Sequence, residues 1–340
     1  MASVTDPIAY FLDDMEYHGR SERTVDAYRR VLRSFESFID SRRRDSADSA
    51  IDEATHRDCL EWVHDLREKH ADSTIASYAS YVNRFYAYMI DVGEFDDNPM
   101  ALVMEEMDER IETDPSRRDV SLDSMRSFLS AVSHPLERAV IATLLKTGIR
   151  AGELCNLDVR DVNLDDVALS TDEPRPALRD HPDSLYVSAA PKAGETINGE
   201  RRSESNKRKR DTRIPIDSEL KRVLERWLAI RPDPRSPADP LFVRTNREWG
   251  TRLTGSAVHH IVEQHAREYG WYETNGDAGT NVTPHYFRHF FTTHLRDRTG
   301  DRGIVKYLRG DVASDIIDTY THNWGDRVRR EYEANIYELL

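Results

Sequence analysis

The first 95 residues alternate between apolar and polar positions with the period of an α-helix. Large apolar side chains recur three or four residues apart, as in the set Val25, Tyr28, Val31, Leu32, Phe35 and Phe38. Ser21 and Thr55 precede two such stretches, and their side-chain oxygens are of the kind that caps helix N-termini. The pattern predicts four helices that bury their apolar faces in a small all-α domain, residues 1–95.

The helical period weakens between residues 96 and 118, where charged residues and prolines dominate. Such a composition is typical of a linker, with one helical turn around residues 102–107. Helical spacing resumes after this stretch and predicts helices at residues 121–132 and 135–147. The sequence therefore predicts a second domain that begins near residue 119 and continues to residue 340.

The second domain also contains short β-like runs at residues 159–167, 184–188 and 213–216. Pro215 in the last run is typical of an edge strand or a strand end. The polar stretch 189–212 lacks apolar periodicity, so we expect a long, mobile hairpin connection there and not a packed element. Helical spacing returns at residues 218–231, 255–268, 285–298, 301–309, 312–320 and 326–338. The predicted fold is mainly α with a small β-sheet.

Composition narrows the class of protein. The 340 residues are 38% hydrophobic, which is enough apolar material for two cores. The two cysteines, Cys59 and Cys155, cannot build a disulfide framework or a four-cysteine zinc site. No apolar run approaches the roughly 20 residues that a membrane helix needs, and the N-terminus lacks the pattern of a secretory signal. We therefore expect a cytoplasmic protein without a membrane partner.

The net charge of −14 argues at first against a nucleic-acid partner, because proteins that bind nucleic acids are usually basic. The charge is unevenly distributed, however: −7 for residues 1–95, −10 for residues 96–199 and +3 for residues 200–340. Only 7 of the 48 cations are lysines, and a surface of this kind is expected in the salt-adapted cytoplasm of a halophile. An ordinary acidic protein is the alternative. The whole-chain charge thus hides a locally basic C-terminal part.

Four clusters of polar residues are candidates for chemistry, and each has an ordinary structural interpretation. The first places Arg150 after the helix break at Gly148, where Glu153 can hold its guanidinium; a surface arginine with a helical partner is the alternative. The second is the basic run 206–213, which leads directly into a predicted strand. Such runs are often solvated loops or nonspecific phosphate binders.

The third cluster follows Thr283 and Pro284, which predict a helix start. His285 and Arg288, three residues apart, then share one helix face. A zinc site is a poor alternative, because no glutamate stands between His285 and His289 as in H-E-x-x-H, and we expect no metal.

The fourth cluster extends from Gly310-Asp311 to Tyr320-Thr321-His322. A tyrosine near a helix end is usually a packing residue, so this cluster alone is weak evidence. The order of the four clusters is specific: an arginine, a lysine before a strand, H-x-x-R-H, and a glycine followed ten residues later by Tyr-Thr-His. In this order the sequence closely resembles the tyrosine recombinase (phage integrase, Xer-like) family over nearly the whole chain.

The resemblance implies a fold and an activity. It implies a SAM-like four-helix core-binding domain at residues 1–95 and an α+β catalytic domain of the DNA breaking-rejoining fold at residues 119–340. The implied enzyme cleaves and rejoins double-stranded DNA at specific recombination sites through a 3′-phosphotyrosyl intermediate. It needs no metal, ATP or other cofactor, and it acts as a homotetramer on DNA.

The resemblance also assigns site residues. The implied catalytic residues are Arg150, Lys207, His285, Arg288, Asp311 and, as the nucleophile, Tyr320. Lys192 and Lys209 compete with Lys207 for the role of catalytic lysine. The implied DNA contacts are Arg202, Lys209 and Arg210.

Asp311 departs from the family, which has histidine or tryptophan at the corresponding position. A carboxylate beside the scissile phosphate would repel it unless the carboxylate is protonated or paired. Arg309 and His322 are the candidate partners in the sequence. We therefore expect Asp311 either to face away from the site or to pair with a cation.

The implied residues suit phosphodiester transfer without a metal. Two guanidiniums can each fork onto phosphoryl oxygens. A tyrosine with a pKa of about 10 must lose its proton during attack, and His285 can accept or orient that proton. Lys207 can protonate the leaving 5′-oxygen. Two other function classes remain: a relative that binds DNA without cleaving it, and a type IB-like topoisomerase that relaxes supercoils as a monomer.

Overall fold

The computed structural model describes residues 5–42, 51–110, 116–165, 174–274, 276–311 and 324–340. The chain divides into two compact units, residues 1–115 and 116–340, and each unit has its own hydrophobic core. Among the described helices, none combines the length and the apolar character that a membrane span requires.

The first unit is helical. Its described helices are α1 (Pro7–Tyr17), α2 (Glu22–Arg42), α3 (His56–Arg67), α4 (Asp72–Asp91) and α5 (Ala101–Glu106). The predicted cap Ser21 accepts a hydrogen bond from the Thr24 amide at 3.3 Å. Thr55 forms a capping box with Asp58 at the start of α3. The four helices predicted before residue 95 are confirmed.

Helix α5 lies within the stretch that the sequence predicts as a linker. It packs against α3 and α4, because Val103 and the flanking Met100 and Met107 are buried in the same core. Glu109 forms an ion pair with Arg67 of α3. The predicted helical turn is therefore a packed element of the first unit.

The second unit is built around a buried helix. Its described helices are α6 (Leu122–Ala131), α7 (Pro135–Thr147), α8 (Ala151–Cys155), α9 (Ser218–Ile230), α10 (Gly255–Glu268), α11 (Pro284–Thr299), α12 (Arg302–Arg309) and α13 (Trp324–Asn335). Helix α7 is buried on most of its surface and packs against α9 and α11. The predicted helix at residues 312–320 lies outside the described residues.

The second unit also holds short antiparallel strands. They are β1 (Val162–Asn163), β2 (Ser184–Val187), β3 (Thr196–Ile197), β4 (Glu200–Arg201) and β5 (Thr212–Pro215). Strands β1, β2 and β5 form one sheet in that order, so β5 is an edge strand, as Pro215 predicts. Leu185 of β2 pairs with Val162 on one side and Ile214 on the other. The strand predicted over 159–167 is shorter because residues 159–161 form a 3-10 turn.

Residues 189–212 connect the antiparallel strands β2 and β5, as the predicted hairpin connection requires, but the prediction that this stretch is unpacked is wrong. Strands β3 and β4 form a hairpin within it, and Asn198 and Gly199 at its turn have positive φ angles of 55° and 79°. Arg202 and Arg208 of the same stretch are buried. The segment is held by ion pairs and hydrogen bonds of charged side chains, so no hydrophobic period reveals its packing.

Candidate active site

Arg150 lies at the turn between α7 and α8. Gly148 ends α7 with a φ of 63°, and a Cβ atom at this position would lie 2.3 Å from the Phe291 ring, so a larger residue does not fit. The Arg150 amide donates to Glu153 Oε2 at 3.0 Å, and its guanidinium donates to Glu153 Oε1 at 2.9 Å. The buried Glu153 thus holds the guanidinium of Arg150, as the sequence predicts.

Arg288 is fixed by the same turn. Helix α11 begins at Thr283-Pro284, as predicted, and carries Arg288 in its second turn with a side chain only 3% exposed. Arg288 Nη1 donates to the Gly148 carbonyl at 2.6 Å, and Nη2 donates to the Arg309 carbonyl at 3.1 Å. The residues of the first and third sequence clusters are therefore brought together.

The guanidiniums of these two arginines meet at Asp311. Arg150 Nη2 donates to Asp311 Oδ1 at 2.7 Å, and Arg288 Nη2 donates to Oδ1 and Oδ2 at 2.8 and 2.9 Å. Arg309, one of the two predicted partners, lies 2.9 Å from Oδ2. The other candidate, His322, lies outside the described residues. Asp311 thus pairs with cations and does not face away.

Burial and neighbouring charges shift the pKa values of Asp311, Arg288 and Arg309. Burial alone would raise the pKa of Asp311, but Arg288, Arg309 and Arg150 outweigh burial and lower it. Burial, together with Arg150 and Arg309, lowers the pKa of Arg288 to about 9. Burial also lowers the pKa of Arg309. The cations are crowded around a single carboxylate, and a further anion would relieve their repulsion.

The connection from β4 to β5 is docked against this site by Arg208. Its buried guanidinium donates to Glu153 Oε2 and to the Leu308 carbonyl, both at 3.1 Å. Gly310 has a φ of 72°, and a Cβ there would lie 2.5 Å from Arg208 Cγ. Arg208 is not among the predicted site residues, because nothing in the basic run distinguishes it from its neighbours.

The three candidate lysines are all exposed. Lys207 and Lys209 flank Arg208, and the Lys209 amide donates to the Gly310 carbonyl at 3.3 Å. Lys192 lies earlier, and its amide donates to the Glu195 carboxylate at 3.2 Å. Lys207 stays the predicted catalytic lysine, and Arg208, the next residue, contacts Glu153.

Two of the predicted DNA contacts have intramolecular partners. The Arg202 side chain is 1% exposed and donates to Asp158 Oδ2 at 2.8 Å. Its prediction is corrected, because a guanidinium enclosed with its carboxylate partner cannot reach a DNA phosphate. The Arg210 guanidinium lies 5.3 Å from the centre of the Tyr307 ring and is half-buried, so its role as a DNA contact stays a prediction.

His285 lies in the first turn of α11, where part of the residue is exposed. Partial burial of its ring lowers its pKa, and the charges of Arg117, Arg288 and Arg309 lower it further. Its imidazole is therefore neutral near pH 7 and can accept a proton. Arg117 is not among the predicted site residues. The predicted nucleophile, Tyr320, lies outside the described residues.

Comparisons with known proteins agree with this architecture. Residues 121–326 match the phage integrase family, and residues 8–93 match the phage integrase N-terminal SAM-like domain. Tyrosine recombinase XerC of Pelobacter propionicus is 24% identical over 316 residues, which cover 92% of this chain and 89% of that protein. Tyrosine recombinase XerA of Pyrococcus furiosus is 28% identical over 205 residues, 60% of this chain and 56% of that protein.

A solved structure has a similar fold. The Tn1549 transposon integrase in complex with transposon right end DNA superposes with a TM-score of 0.65 at 20% identity, over 96% of this chain and 98% of that chain. The match to the catalytic family model extends over more than half of the sequence. The chain belongs to the phage integrase family and is a tyrosine-type site-specific DNA recombinase.

Proposed function

We propose that this recombinase holds the scissile phosphate of double-stranded DNA with Arg150 and Arg288. The supporting observation is that one Nη2 group of each arginine donates to the same oxygen, Asp311 Oδ1, at 2.7 and 2.8 Å. A carboxylate and a phosphodiester are both anions with two acceptor oxygens, so the Asp311 carboxylate stands in for the phosphoryl group. Charge-assisted bonds from planar guanidiniums suit either anion.

The phosphate takes these donors from Asp311. Arg288 is almost fully buried, and its Nη2 already donates to the Arg309 carbonyl and to Asp311. A phosphate therefore gains this group by replacing the carboxylate. The exchange is one anion for another, so the buried guanidinium of Arg288 keeps a charged partner throughout.

Tyr320 is the proposed nucleophile. Its phenolic oxygen attacks the phosphorus, a 3′-phosphotyrosyl bond forms, and the bond from phosphorus to the 5′-oxygen breaks. Neutral His285 accepts the phenolic proton, and Lys207 supplies a proton to the departing 5′-oxygen. Arg150 and Arg288 stabilise the charge on the non-bridging oxygens during both steps. Rejoining is the reverse reaction with another 5′-hydroxyl.

The proposed working assembly is a homotetramer on two DNA sites. One chain has one nucleophile and cuts one strand, whereas exchange between two duplexes requires four cuts.

Lys209 and Arg210 lie next to Arg208 in the chain and are the proposed contacts to the DNA backbone around the site. The relative with the TM-score of 0.65 is itself an integrase in complex with DNA.

Covalent capture tests this proposal. The full chain is incubated with duplexes of randomised sequence that carry one nick, so that cleavage releases a short fragment and cannot be reversed. Adducts are isolated under denaturing conditions and their DNA is sequenced. We expect adducts enriched in one sequence with the wild type and none with Tyr320→Phe, although that variant still shifts the recovered duplex on a native gel.

Tyr269→Phe is the matched control, because Tyr269 is an exposed tyrosine of the same unit. This variant should form adducts at the wild-type rate. A wild type that binds DNA and forms no adduct would instead be a DNA-binding module. Relaxation of supercoiled plasmid without sequence preference would identify a topoisomerase.

A further inference from the structure

Arg309 ends α12 at the edge of the arginine site, and the proposed reaction gives it no role. Its carbonyl accepts from Arg288 and the preceding Leu308 carbonyl accepts from Arg208, so the backbone on which its side chain stands is fixed. Gly310 then turns the chain in the left-handed region, which brings Asp311 back to the Arg309 guanidinium at 2.9 Å. The turn therefore builds an Arg309–Asp311 pair.

The guanidinium of Arg309 differs from its two neighbours in the partners it has. Arg150 also pairs with Glu153, and Arg288 also donates to the Gly148 carbonyl. Within the part of the chain that the structure describes, Asp311 alone pairs with the Arg309 guanidinium, whose Nε is buried without an acceptor. Its side chain is 29% exposed, so it can follow a carboxylate that moves.

Asp311 becomes a competitor once a phosphate enters. Three arginines lower its pKa, so it remains an anion at neutral pH. A free carboxylate beside a phosphate would repel it, and it would also compete for Arg150 and Arg288. The cost is avoided if a cation keeps the carboxylate to one side. Arg309 is placed to do so.

We propose that Arg309 is a positioning residue, which retains the Asp311 carboxylate when the scissile phosphate takes over Arg150 and Arg288. In the DNA-free chain Asp311 fills the anion site and prevents mutual repulsion of the arginines. In the complex the Arg309–Asp311 pair lies beside the phosphate, and the pair itself carries no net charge. The inference rests on the proposed function for the identity of the anion, but its first test does not use DNA.

The first test measures binding of inorganic sulfate, a tetrahedral oxyanion, by the DNA-free chain. Sulfate replaces chloride at constant ionic strength, and the apparent affinity is taken from the rise in melting temperature of each variant above its own value in chloride. The variants are Arg309→Gln, Asp311→Asn and the double variant. Arg302→Gln, in the exposed first turn of α12, is the matched control.

We expect Asp311→Asn to bind sulfate about tenfold more tightly than the wild type, because the carboxylate no longer competes for Arg150 and Arg288. Arg309→Gln should bind sulfate about tenfold more weakly, because the carboxylate is no longer held aside. Each change corresponds to about one charge-assisted hydrogen bond between the arginines and the anion. The double variant should bind sulfate as Asp311→Asn does, because without the carboxylate Arg309 has nothing to retain. Arg309→Lys keeps the charge and should remain close to the wild type, as should the control.

The outcome that overturns the inference is an equal loss from Arg309→Gln in both backgrounds, since Arg309 would then contact the anion itself. No loss in the wild-type background would overturn it as well. The second test repeats the cycle with rates of adduct formation on the captured duplex, and the same suppression by Asp311→Asn is expected. A chain that shows the sulfate pattern but forms no adduct overturns the proposed function alone.

Discussion

The second unit contains two networks of arginines and carboxylates that differ in the balance of their charges. The Asp158 network consists of Asp158, Glu200, Arg202 and Arg252, with two carboxylates for two guanidiniums. The Asp311 cluster consists of Asp311, Glu153, Arg150, Arg208, Arg288 and Arg309, with two carboxylates for four guanidiniums. The first network is balanced, and the second has an excess of two positive charges.

The two also differ in their access to solvent. In the Asp158 network the most exposed side chain is Glu200, at 19%, and the Asp158 carboxylate accepts bonds from Arg202, Arg252 and Asn198. In the Asp311 cluster Arg150 and Asp311 are 31% and 27% exposed. A closed, balanced network is suited to fixing a fold, whereas an open cluster with excess cations is suited to receiving an anion.

Asp158→Asn should have the largest effect on stability. The substitution leaves Arg202 and Arg252 buried with one carboxylate between them, and loss of one partner from a buried ion pair costs about 3–5 kcal/mol. The measurement is the free energy of unfolding of the second unit in denaturant. Asp123→Asn is the control, because its ion pair with Arg126 is 88% exposed at the aspartate and should contribute under about 1 kcal/mol. Equal losses would contradict a structural role for the Asp158 network.

Arg150→Gln should have little effect on stability and a large effect on the rate of adduct formation. The side chain is partly exposed, and after its loss Glu153 keeps Arg208 while Asp311 keeps Arg288 and Arg309. We expect the free energy of unfolding to change by less than about 1 kcal/mol. Adduct formation should fall by about 100- to 1000-fold, the usual cost of removing one donor to a developing oxyanion. A large loss of stability with little loss of rate would show that the cluster is structural.

The difference between the two networks could not be predicted from the sequence. Periodicity and capping residues predicted most of the described helices correctly, because most of them have an apolar stripe that can be recognised over a few turns. The order of the motifs predicted the family, and the resemblance to the family assigned Arg150, His285 and Arg288 to the same catalytic domain. These are signals carried by short segments or by a shared ancestry.

Partners far apart in the chain leave no such local signal. Arg202 and Arg208 stand six residues apart in the connection from β4 to β5, yet one is buried with Asp158 and the other with Glu153. The sequence does not distinguish a buried arginine from an exposed one, and burial through ion pairs produces no periodic pattern of residues. One signal was present: Asn198-Gly199 is a dipeptide typical of tight hairpins, and it marks the turn between β3 and β4.

Arg208→Met should affect stability and rate together. Methionine keeps the apolar stem against Gly310 but removes the donors to Glu153 and to the Leu308 carbonyl. Because Glu153 still has Arg150, we expect a loss of about 2 kcal/mol in the free energy of unfolding. Adduct formation should also slow, since Arg208 docks the stretch that carries Lys207. Arg201→Met, an exposed position in β4, is the control and should change neither.

The smallest expected effect is on the pKa of His285, where the excess charge of the cluster adds to that of Arg117. After partial burial of the ring, Arg117 makes the largest contribution to the lowered pKa. Removing a positive neighbour stabilises the imidazolium, so Arg117→Gln should raise the pKa of His285 by a fraction of a unit, towards its ordinary value of about 6.5.

Titration of the histidine ring signals by NMR measures this shift, with the His285 signal identified by its loss in His285→Gln. If neutral His285 accepts the proton of Tyr320, the rate of adduct formation falls as the pH drops through this pKa. The acid limb of the pH–rate profile should therefore move to higher pH in Arg117→Gln by the same amount as the NMR titration. Arg302→Gln should move neither curve. A shifted titration with an unmoved rate profile would mean that another group accepts the proton, although Arg117 would still be shown to lower the pKa of His285.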